Sequence, residues 1–472
     1  MRTVRWLQIS DFHLRTRQAW EQDVVLSAMC KSIERKCKGE GGLDFILATG
    51  DLAFSGKAEE YQLSSAFFDE IVKVTGVPRE RIFFIPGNHD VNRDRQKMCF
   101  AGARHVLQNE NAIDDFLGSP EEVATLLQRQ EHYNKFQETY SAGQERHWTA
   151  DRLGYMSPLA VDDLRIAIIG VNTAWLSEGG ITDHGKLLAG ERQVIDLLRI
   201  AQKGNPHLIV AMGHHPFHLL NDFDRRPVQR RIEEVCQFYH CGHLHDPESH
   251  SAGRSAMHCL TVAAGASFDS RHTHNAYSMV SLDVMAAERR VTTVQYRPTD
   301  GAFSYESKDT FPFEVTTSSV CGLEHLGTAI LAYRASLSPV AYYLAALLVE
   351  AQAELPIPAG KAHAFGSFDV LRSQPDSELK TAAVAFMALR NPLRLFCASM
   401  SLDDFLGRYG VAIERYGSIL LTAAQSDGGL LDKLDEREAD ARAGGSGAAY
   451  ALLTHIGSSA KLGGGTGLGP PS

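Results

Sequence analysis

Five short apolar runs in the first 250 residues of the chain end in side chains that can bind metal ions. The run "QISDFHL" ends with Asp11 and His13, and "YHCGHLHD" repeats that spacing with His243 and His245. Side chains at positions i and i+2 of an extended segment point to the same face, so both side chains of a pair can bind the same metal ion. The runs "ATGDLAFSG", "GNHD" and "AMGHHPF" end in a similar way, and they contribute Asp51, Asn88 and His214.

Carboxylate, imidazole and amide oxygen without thiolate form a donor set that suits divalent Mn, Fe or Zn. The set offers seven candidate ligands, too many for one four-coordinate ion and suited to two ions that share a carboxylate. Only Asp11 and Asp51 among them are anionic, so two divalent ions would leave the site cationic. Such a site favours hydrolysis of a phosphate ester, because paired ions stabilise the attacking and the leaving oxygen.

The elements that must position these residues alternate between strands and helices. We predict strands at 3–10, 43–50 and 81–87, with helices at 18–38 and 57–74 between them. This alternation indicates a parallel sheet covered by helices, and functional groups collect beyond the carboxyl ends of such strands. The five runs are therefore expected to meet at one edge.

A helical segment interrupts this alternation between about residues 93 and 148, directly after "GNHD". The stretch 119–140 begins with Ser-Pro-Glu-Glu and has helical periodicity, which predicts an inserted helical cap at 93–148. Strands are expected again at 164–175, at 207–213 and in "FYHCG", separated by helices at 190–203 and 226–237. The stretches 256–266, 276–284 and 289–298 are predicted to be consecutive antiparallel strands.

Beyond about residue 315 the chain is rich in Ala and Leu at helical spacing. We expect helices over 323–337, from Ser338 onward, over 376–390 and over 401–422, the last capped by Ser401 and Asp404. The predicted domains are a domain at 1–312 that includes the cap, an α-helical domain at 318–456 and a flexible tail at 457–472.

Composition limits the possible partners and compartments. The net charge of −10 and the lack of a basic, aromatic-interleaved stretch disfavour nucleic acid as a partner, although a local cationic site remains compatible. The eight cysteines include no Cys-x-x-Cys pair, which fits a reducing cytoplasm. No signal-peptide pattern is present, and the longest apolar run, near 339–349, is too short to cross a bilayer. We therefore expect a cytoplasmic protein without a membrane partner.

The segments "DFH", "GD", "GNHD", "GHHP" and "GHLH", in that order, resemble the motifs of calcineurin-like metallophosphoesterases. The likeness extends over about residues 1–300, and "GHHP" together with the short opening is similar to the branch of class III cyclic-nucleotide phosphodiesterases. The resemblance implies an α/β fold, namely a four-layer α/β/β/α sandwich with an inserted helical cap and an α-helical C-terminal region. It also implies a dinuclear centre that hydrolyses phosphate esters.

The resemblance further implies a role for each residue of the set. His89 would act as the general acid, Asp90 would orient its imidazole, and a hydroxide bridging the two metal ions would be the nucleophile. Asp11, His13 and His245 would hold one ion, Asn88, His214 and His243 the other, and Asp51 would bridge both.

Alternatives stay open at this point. A nuclease or a protein phosphatase would use the same metal centre, and the C-terminal helices could bind a protein partner that controls the phosphoesterase. His215 follows a candidate ligand and is expected to pack or to orient it, and His240 is expected in the core. His272, His274 and Tyr277 are weaker candidates for the wall of a substrate pocket.

Overall fold

The computed structural model describes residues 3–17, 19–178, 180–252, 259–313, 378–396 and 399–426. The chain divides into two compact units, of which one comprises Arg2–Asp283 with Glu288–Glu314. Its strands, with their bounds, are β1 (Val4–Ile9), β2 (Phe45–Ala48), β3 (Ile82–Phe84), β4 (His147–Trp148), β5 (Gly154–Val161), β6 (Leu164–Val171), β7 (Leu208–Gly213), β8 (Phe238–Cys241), β9 (Glu248–Ala252), β10 (Cys259–Ala263), β11 (Ala276–Asp283), β12 (Glu288–Arg297) and β13 (Ala302–Pro312).

The α-helices follow the predicted alternation closely. The predicted helices at 18–38 and 57–74 are present within two residues of their expected bounds, and Gly76 ends the second in a left-handed conformation. The helices are α1 (Ala19–Glu40), α2 (Ala58–Thr75), α3 (Lys97–Val106), α4 (Glu110–Leu117), α5 (Pro120–Leu127), α6 (Glu131–Tyr140), α7 (Glu191–Lys203), α8 (Asp222–Val235), α9 (Glu378–Ala388), α10 (Arg390–Phe396) and α11 (Leu402–Ser426).

The strands form two sheets. The six-stranded sheet has the order β13-β12-β11-β1-β2-β3, and the seven-stranded sheet has the order β4-β5-β6-β7-β8-β10-β9. In the first, β1, β2 and β3 are parallel, and β11 runs antiparallel to β1. In the second, β6, β7, β8 and β10 are parallel. The parallel strands bring their carboxyl ends to the site, as the alternation predicted.

One prediction about strand pairing is wrong. The stretch 256–266 was expected to lie beside 276–284 as an antiparallel neighbour, whereas β10 pairs in parallel with β8 and antiparallel with β9 in the other sheet. All five residues of β10 are buried, which is typical of a strand inside a parallel sheet. The antiparallel pair β11–β12 is confirmed, and β9 and β13 were not foreseen.

The two sheets face one another across an interior that contains paired polar groups. The ring of Trp6 in β1 stacks on Phe45 at 5.1 Å and meets Phe238 of β8 edge-on at 4.9 Å. Its indole N–H donates to His240 Nε2 at 3.2 Å, and Gln8 donates to Cys241 O at 2.9 Å. Burial lowers the pKa of His240 to about 3, so the ring is a neutral acceptor, and its expected core position is confirmed.

Helices cover the outer face of each sheet. Side chains of α1, α2 and α6 form one apolar cluster with the six-stranded sheet, and side chains of α7 and α8 form another with the seven-stranded sheet. The predicted α/β/β/α layering is therefore confirmed.

The segment between β3 and β4 is helical, as expected. Its last helix, α6, belongs to the core, because Tyr133, Phe136 and Tyr140 are buried and Phe136 meets Phe84 of β3 edge-on at 5.3 Å. Helices α3 to α5 instead pack with Trp175, which follows β6, in a separate apolar cluster. The segment thus combines a structural helix with a smaller helical layer.

The second unit contains α9, α10 and α11. Ser401 Oγ accepts the Asp404 backbone N–H at 3.2 Å, so the predicted cap of the helix beginning near residue 401 is confirmed. The helices expected over 323–337 and from Ser338, and the tail at 457–472, lie outside the described residues. No helix within the described ranges is both long enough and apolar enough to cross a membrane.

Candidate metal centre

The polar ends of the strands are joined to one another by backbone hydrogen bonds. Asp11 N donates to Gly50 O at 3.0 Å, and His13 N donates to Asp51 O at 3.0 Å, which fixes the exit of β1 against that of β2. The His243 backbone N–H donates to Asp11 Oδ2 at 3.0 Å, which links the exit of β8 to β1. The candidate ligands therefore occupy one preorganised edge.

Asp11, His13 and His245 form the first group of donors. His13 Nε2 lies 3.2 Å from His245 Nε2, and His245 Nε2 lies 3.5 Å from Asp11 Oδ1. One ligand atom from each of the three residues falls within 4.8 Å of the others, which is compact enough to surround a single ion.

Asn88, His214 and His243 form the second group. Asn88 Oδ1 lies 3.0 Å from His214 Nε2 and 2.9 Å from His243 Nδ1. His214 Nδ1 lies 2.7 Å from the carbonyl oxygen of Thr49, which can accept its proton and leave Nε2 directed at the other donors.

The carboxylate of Asp51 lies between the two groups. Its Oδ2 is 3.9 Å from His13 Nδ1 on one side and 3.4 Å from His214 Nε2 on the other. Asp51 also shares a compact donor group with Asp11 and His214. Its side chain thus lies close to an imidazole of each group.

Strained backbone holds several of these residues in place. Among the described residues outside glycine with positive φ are Asp11, His13 and Asp51 at 55°, 48° and 55°, and His243 and His245 at 71° and 61°. Left-handed backbone costs free energy for such residues and collects at functional sites. The backbone that follows β1, β2 and β8 is therefore held in a strained conformation that orients the candidate ligands.

Two glycines leave room for the carboxylates. A Cβ on Gly87 would collide with the side chain and backbone of Asp51, and a Cβ on Gly242 would collide with Ser10 and Asp11 Oδ2. The glycines of "GNHD" and "CGHLH" thus permit close approach of backbone and ligand.

His89 lies at the border of the first group. Its ring meets His13 edge-on at 4.5 Å between centroids, and its backbone N–H donates to Asp51 Oδ1 at 2.7 Å. His89 Nδ1 lies 2.7 Å from the carbonyl oxygen of Phe54, so a proton on Nδ1 is held there and Nε2 is left for other contacts.

Asp90 has a different task from the one expected. Its carboxylate accepts the backbone N–H groups of Leu52, Ala53 and Gly87 at 3.2, 3.0 and 2.9 Å, and the hydroxyl of Tyr61 at 3.0 Å. The acceptor beside the His89 ring is the carbonyl of Phe54 instead. Asp90 therefore ties the loop after Asp51 to the loop before Asn88.

The electrostatics of the cluster suit cations. Burial raises the pKa of the Asp51 carboxyl, but the neighbouring imidazoles of His214, His89 and His13 together outweigh burial and hold that pKa well below its usual range. Burial lowers the pKa of His13 and of His243 to about 4, so both imidazoles are neutral, the form that binds a metal ion.

Two buried side-chain atoms of the first group are free to bind a cation. Asp11 Oδ1 and His13 Nδ1 are buried and make no hydrogen bond within the described part of the chain. Buried polar atoms are almost always partnered, so orphaned atoms in a cluster of carboxylates and imidazoles indicate a site for a cation. The residues present therefore fit a divalent metal centre.

His215 and three weaker candidates lie in different places. His215 is fully buried, its Nδ1 is 2.9 Å from Thr173 Oγ1, and it belongs to a compact group with His214 and His243. Tyr277 is buried with its hydroxyl 2.9 Å from Ser32 Oγ, so its suggested place in a pocket wall is wrong. His272 and His274 are exposed in the loop after β10.

Sequence reasoning missed two neighbours of the cluster. The Phe54 carbonyl at His89 is a backbone group, and no side-chain pattern reveals it. Asp269 Oδ1 lies 3.7 Å from His245 Nδ1, yet Asp269 is far from every motif. The sequence carries no signal for either contact.

Comparisons with known proteins agree with this geometry. A family model described as calcineurin-like phosphoesterase matches residues 4–247, more than half of the chain. A Bacillus subtilis (strain 168) relative, described as the uncharacterized metallophosphoesterase-like protein YydB, is 23% identical over 296 residues. That match covers 61% of this chain and 59% of the relative's length.

Two solved structures are also similar. Sulfate thiohydrolase SoxB of Thermus thermophilus, in complex with glycerol, matches 66% of this chain and 56% of its own, with a TM-score of 0.33 at 12% identity. A predicted phosphoesterase of Streptococcus pneumoniae TIGR4 matches 66% of this chain and 99% of its own, with a TM-score of 0.26 at 12% identity.

Proposed function

Because this chain belongs to the calcineurin-like phosphoesterase family, we propose that it is a metal-dependent phosphoric ester hydrolase that acts on phosphodiesters. The observation that carries the proposal is the position of Asp51 between two groups of donors, 3.9 Å from His13 and 3.4 Å from His214. One carboxylate shared by two groups is the arrangement that a dinuclear hydrolytic centre requires.

Each group supplies the ligands for one divalent ion. When bound, the two ions would supply Lewis-acid charge and lower the pKa of water, which is the chemistry that ester hydrolysis needs. Manganese, iron or zinc fits the donors, since the set has imidazole, carboxylate and amide oxygen and no thiolate. Asp11, His13 and His245 form the first ligand group, Asn88, His214 and His243 form the second, and Asp51 belongs to both.

His89 is the residue of this chain that moves a proton. With Nδ1 held by the Phe54 carbonyl, Nε2 can carry a proton towards the leaving oxygen of the substrate. The backbone bond from His89 N to Asp51 Oδ1 fixes the imidazole relative to the shared carboxylate. His89 is thus the general acid, and Asp90 is a positioning residue for the loops that hold the site.

The described cysteines support an intracellular, reducing location, the cytoplasm, for this activity. Cys30, Cys37, Cys99, Cys236, Cys241 and Cys259 are all free thiols.

The proposed function is tested with two chromogenic esters. Metal-stripped protein receives Mn²⁺ and is assayed on bis-p-nitrophenyl phosphate, a diester, and on p-nitrophenyl phosphate, a monoester. The proposal predicts Mn²⁺-dependent hydrolysis with a higher kcat/KM for the diester. A preference for the monoester contradicts the diester assignment, and no hydrolysis of either ester by metal-loaded protein contradicts the enzymatic proposal.

A further inference from the structure

We infer that two arginine–aromatic pairs on the rim of the metal centre bind the nucleoside part of the substrate, so that the enzyme prefers nucleoside phosphodiesters to simple alkyl diesters. The inference rests on the proposed function and names the substrate class of the same site. We call these residues the rim: Arg15 with Phe54, and Arg271 with Trp20.

The first pair lies beside the proposed general acid. Phe54 is 41% exposed, although large apolar side chains usually avoid water, and its ring centroid is 5.5 Å from that of His89. The guanidinium carbon of Arg15 lies 5.0 Å from the centre of the Phe54 ring. The exposed ring of Phe54, beside the proposed general acid His89, offers an apolar surface to the organic group of the ester.

The second pair lies on the side of His245. Trp20, near the start of α1, is 56% exposed, and the guanidinium carbon of Arg271 lies 5.2 Å from its ring centre. Arg271 is two residues from Asp269, whose carboxylate lies 3.7 Å from His245 Nδ1. Gln22, two residues after Trp20 in α1, donates to His13 O at 2.8 Å, which ties the start of α1 to the ligand loop after β1.

Several arginines lie around the ligands although the chain as a whole is acidic. The chain carries a formal charge of −10, yet Arg15, Arg17 and Arg271 all lie in the loops around the ligands. Arginine interleaved with exposed aromatic rings is the surface that binds nucleotides, because bases stack on the rings and guanidinium groups attract phosphate. The acidic remainder disfavours a long duplex, so the surface fits single nucleoside esters or short single strands.

Two diesters with the same leaving group test the inference. The p-nitrophenyl ester of thymidine monophosphate carries a base, and methyl p-nitrophenyl phosphate does not. Wild type is expected to have the higher kcat/KM for the thymidine ester. Because stacking of one base is worth about fivefold to hundredfold in binding, Phe54→Leu should lower the ratio of the two kcat/KM values by at least about fivefold.

A matched pair elsewhere in the same unit provides the control. The guanidinium carbon of Arg152 lies 4.9 Å from the Trp148 ring centre, and Trp148 is in β4, the edge strand of the seven-stranded sheet. Trp148→Leu removes an arginine-stacked ring without touching the rim, so the ratio should stay within about twofold of wild type. An equal loss in Trp148→Leu and Phe54→Leu would overturn the inference.

A binding measurement separates this inference from the proposed function. Calorimetry with the hydrolysis-resistant methylphosphonate analogue of thymidine monophosphate on Mn²⁺-loaded protein requires no turnover. The rim predicts at least about fivefold weaker binding by Phe54→Leu, even if no ester is hydrolysed. Equal binding by wild type and Phe54→Leu overturns the rim, whatever the hydrolysis assay shows. The same measurement with dithymidylate tests the second pair: Trp20→Leu should bind it at least about fivefold more weakly than wild type, and equal binding by both proteins overturns the role of Trp20 and Arg271.

Discussion

Tyr61 provides a stringent test of how the site is held together, because its hydroxyl is the one side-chain donor described on Asp90. Tyr61 is buried in α2, and its hydroxyl donates to Asp90 Oδ1 at 3.0 Å. The same carboxylate holds the loop after Asp51 and the loop before Asn88 through three backbone N–H groups. Tyr61→Phe removes one of four donors and leaves the shape of the ring unchanged.

The structure sets the size of the effect. Burial, with a further contribution from Asp51, raises the pKa of Asp90 to about 6, so at about pH 8 the bond from Tyr61 is a bond to a carboxylate. Losing a hydrogen bond to a charged group costs roughly 1.5–3 kcal/mol. Three donors remain on Asp90, so we expect a loss of about 2 kcal/mol in the free energy of unfolding.

Tyr133 is the matched control. It is equally buried, its ring centroid lies 6.3 Å from that of Tyr61, and its hydroxyl has no hydrogen-bond partner among the described residues. Tyr133→Phe therefore removes a buried hydroxyl that contributes no bond, and it should be neutral or stabilising.

Chemical denaturation at about pH 8, followed by tryptophan fluorescence, measures both variants. Because Asp90 positions the loops that carry candidate ligands, Tyr61→Phe should also weaken Mn²⁺ binding by about tenfold, and Tyr133→Phe should not. The reasoning is refuted if the two variants lose equal stability, or if Tyr61→Phe loses stability and keeps wild-type affinity for Mn²⁺.

Three further predictions concern proton transfer, pH and metal. His89→Ala should retain Mn²⁺ and lose about a hundredfold or more in kcat, with the largest loss for alkyl leaving groups; loss of the metal itself would contradict the general-acid role. Asp224, in the first turn of α8, is buried and accepts the backbone N–H groups of Ala189 and Gly190 just before α7, and burial raises its pKa from 3.8 to about 6. The folded state then holds a proton that the unfolded state releases, so the contribution of Asp224 to stability is fully present below about pH 4 and is lost as pH rises through about 6, by about 3 kcal/mol for two pKa units. Denaturation of wild type and Asp224→Asn across this range should show the extra slope in wild type alone, and parallel curves would contradict it. Chelator treatment should lower Tm, because Asp11 and Asp51 are left buried without cations, and added Mn²⁺ should raise Tm in a concentration-dependent manner; an unchanged Tm would argue against a structural metal centre.

The position of the site followed from local rules. Strand–helix alternation places the strand exits at one edge, where the candidate ligands meet. The extended backbone expected at the two pairs of ligands is wrong, because Asp11, His13, His243 and His245 lie beyond the strands with positive φ. Sequence patterns were nevertheless sufficient to identify the residues that the structure brings together.

Contacts that depend on distant parts of the chain were not foreseeable. The partner of His89 is the Phe54 carbonyl, and Asp90 holds backbone N–H groups, so neither contact depends on a side-chain pattern. The apolar run of β10 suited either sheet, and only its long-range pairing with β8 decided between them.

The rim illustrates the same limit. Trp20 and Arg271 are about half the protein apart in sequence. The sequence has no contiguous basic, aromatic-interleaved stretch that would predict their contact. Arginine–aromatic pairs that assemble from separate loops are visible only after folding.

The central claim is that Asp51 is shared by two metal sites, and metal stoichiometry tests it most directly. Wild type and Asp51→Asn are dialysed against Mn²⁺ and analysed by inductively coupled plasma mass spectrometry, with circular dichroism to confirm that the variant is folded. We predict two ions per wild-type chain, and weakened binding of both ions by the folded variant. One ion per wild-type chain, or two ions bound with wild-type affinity by Asp51→Asn, would contradict the account.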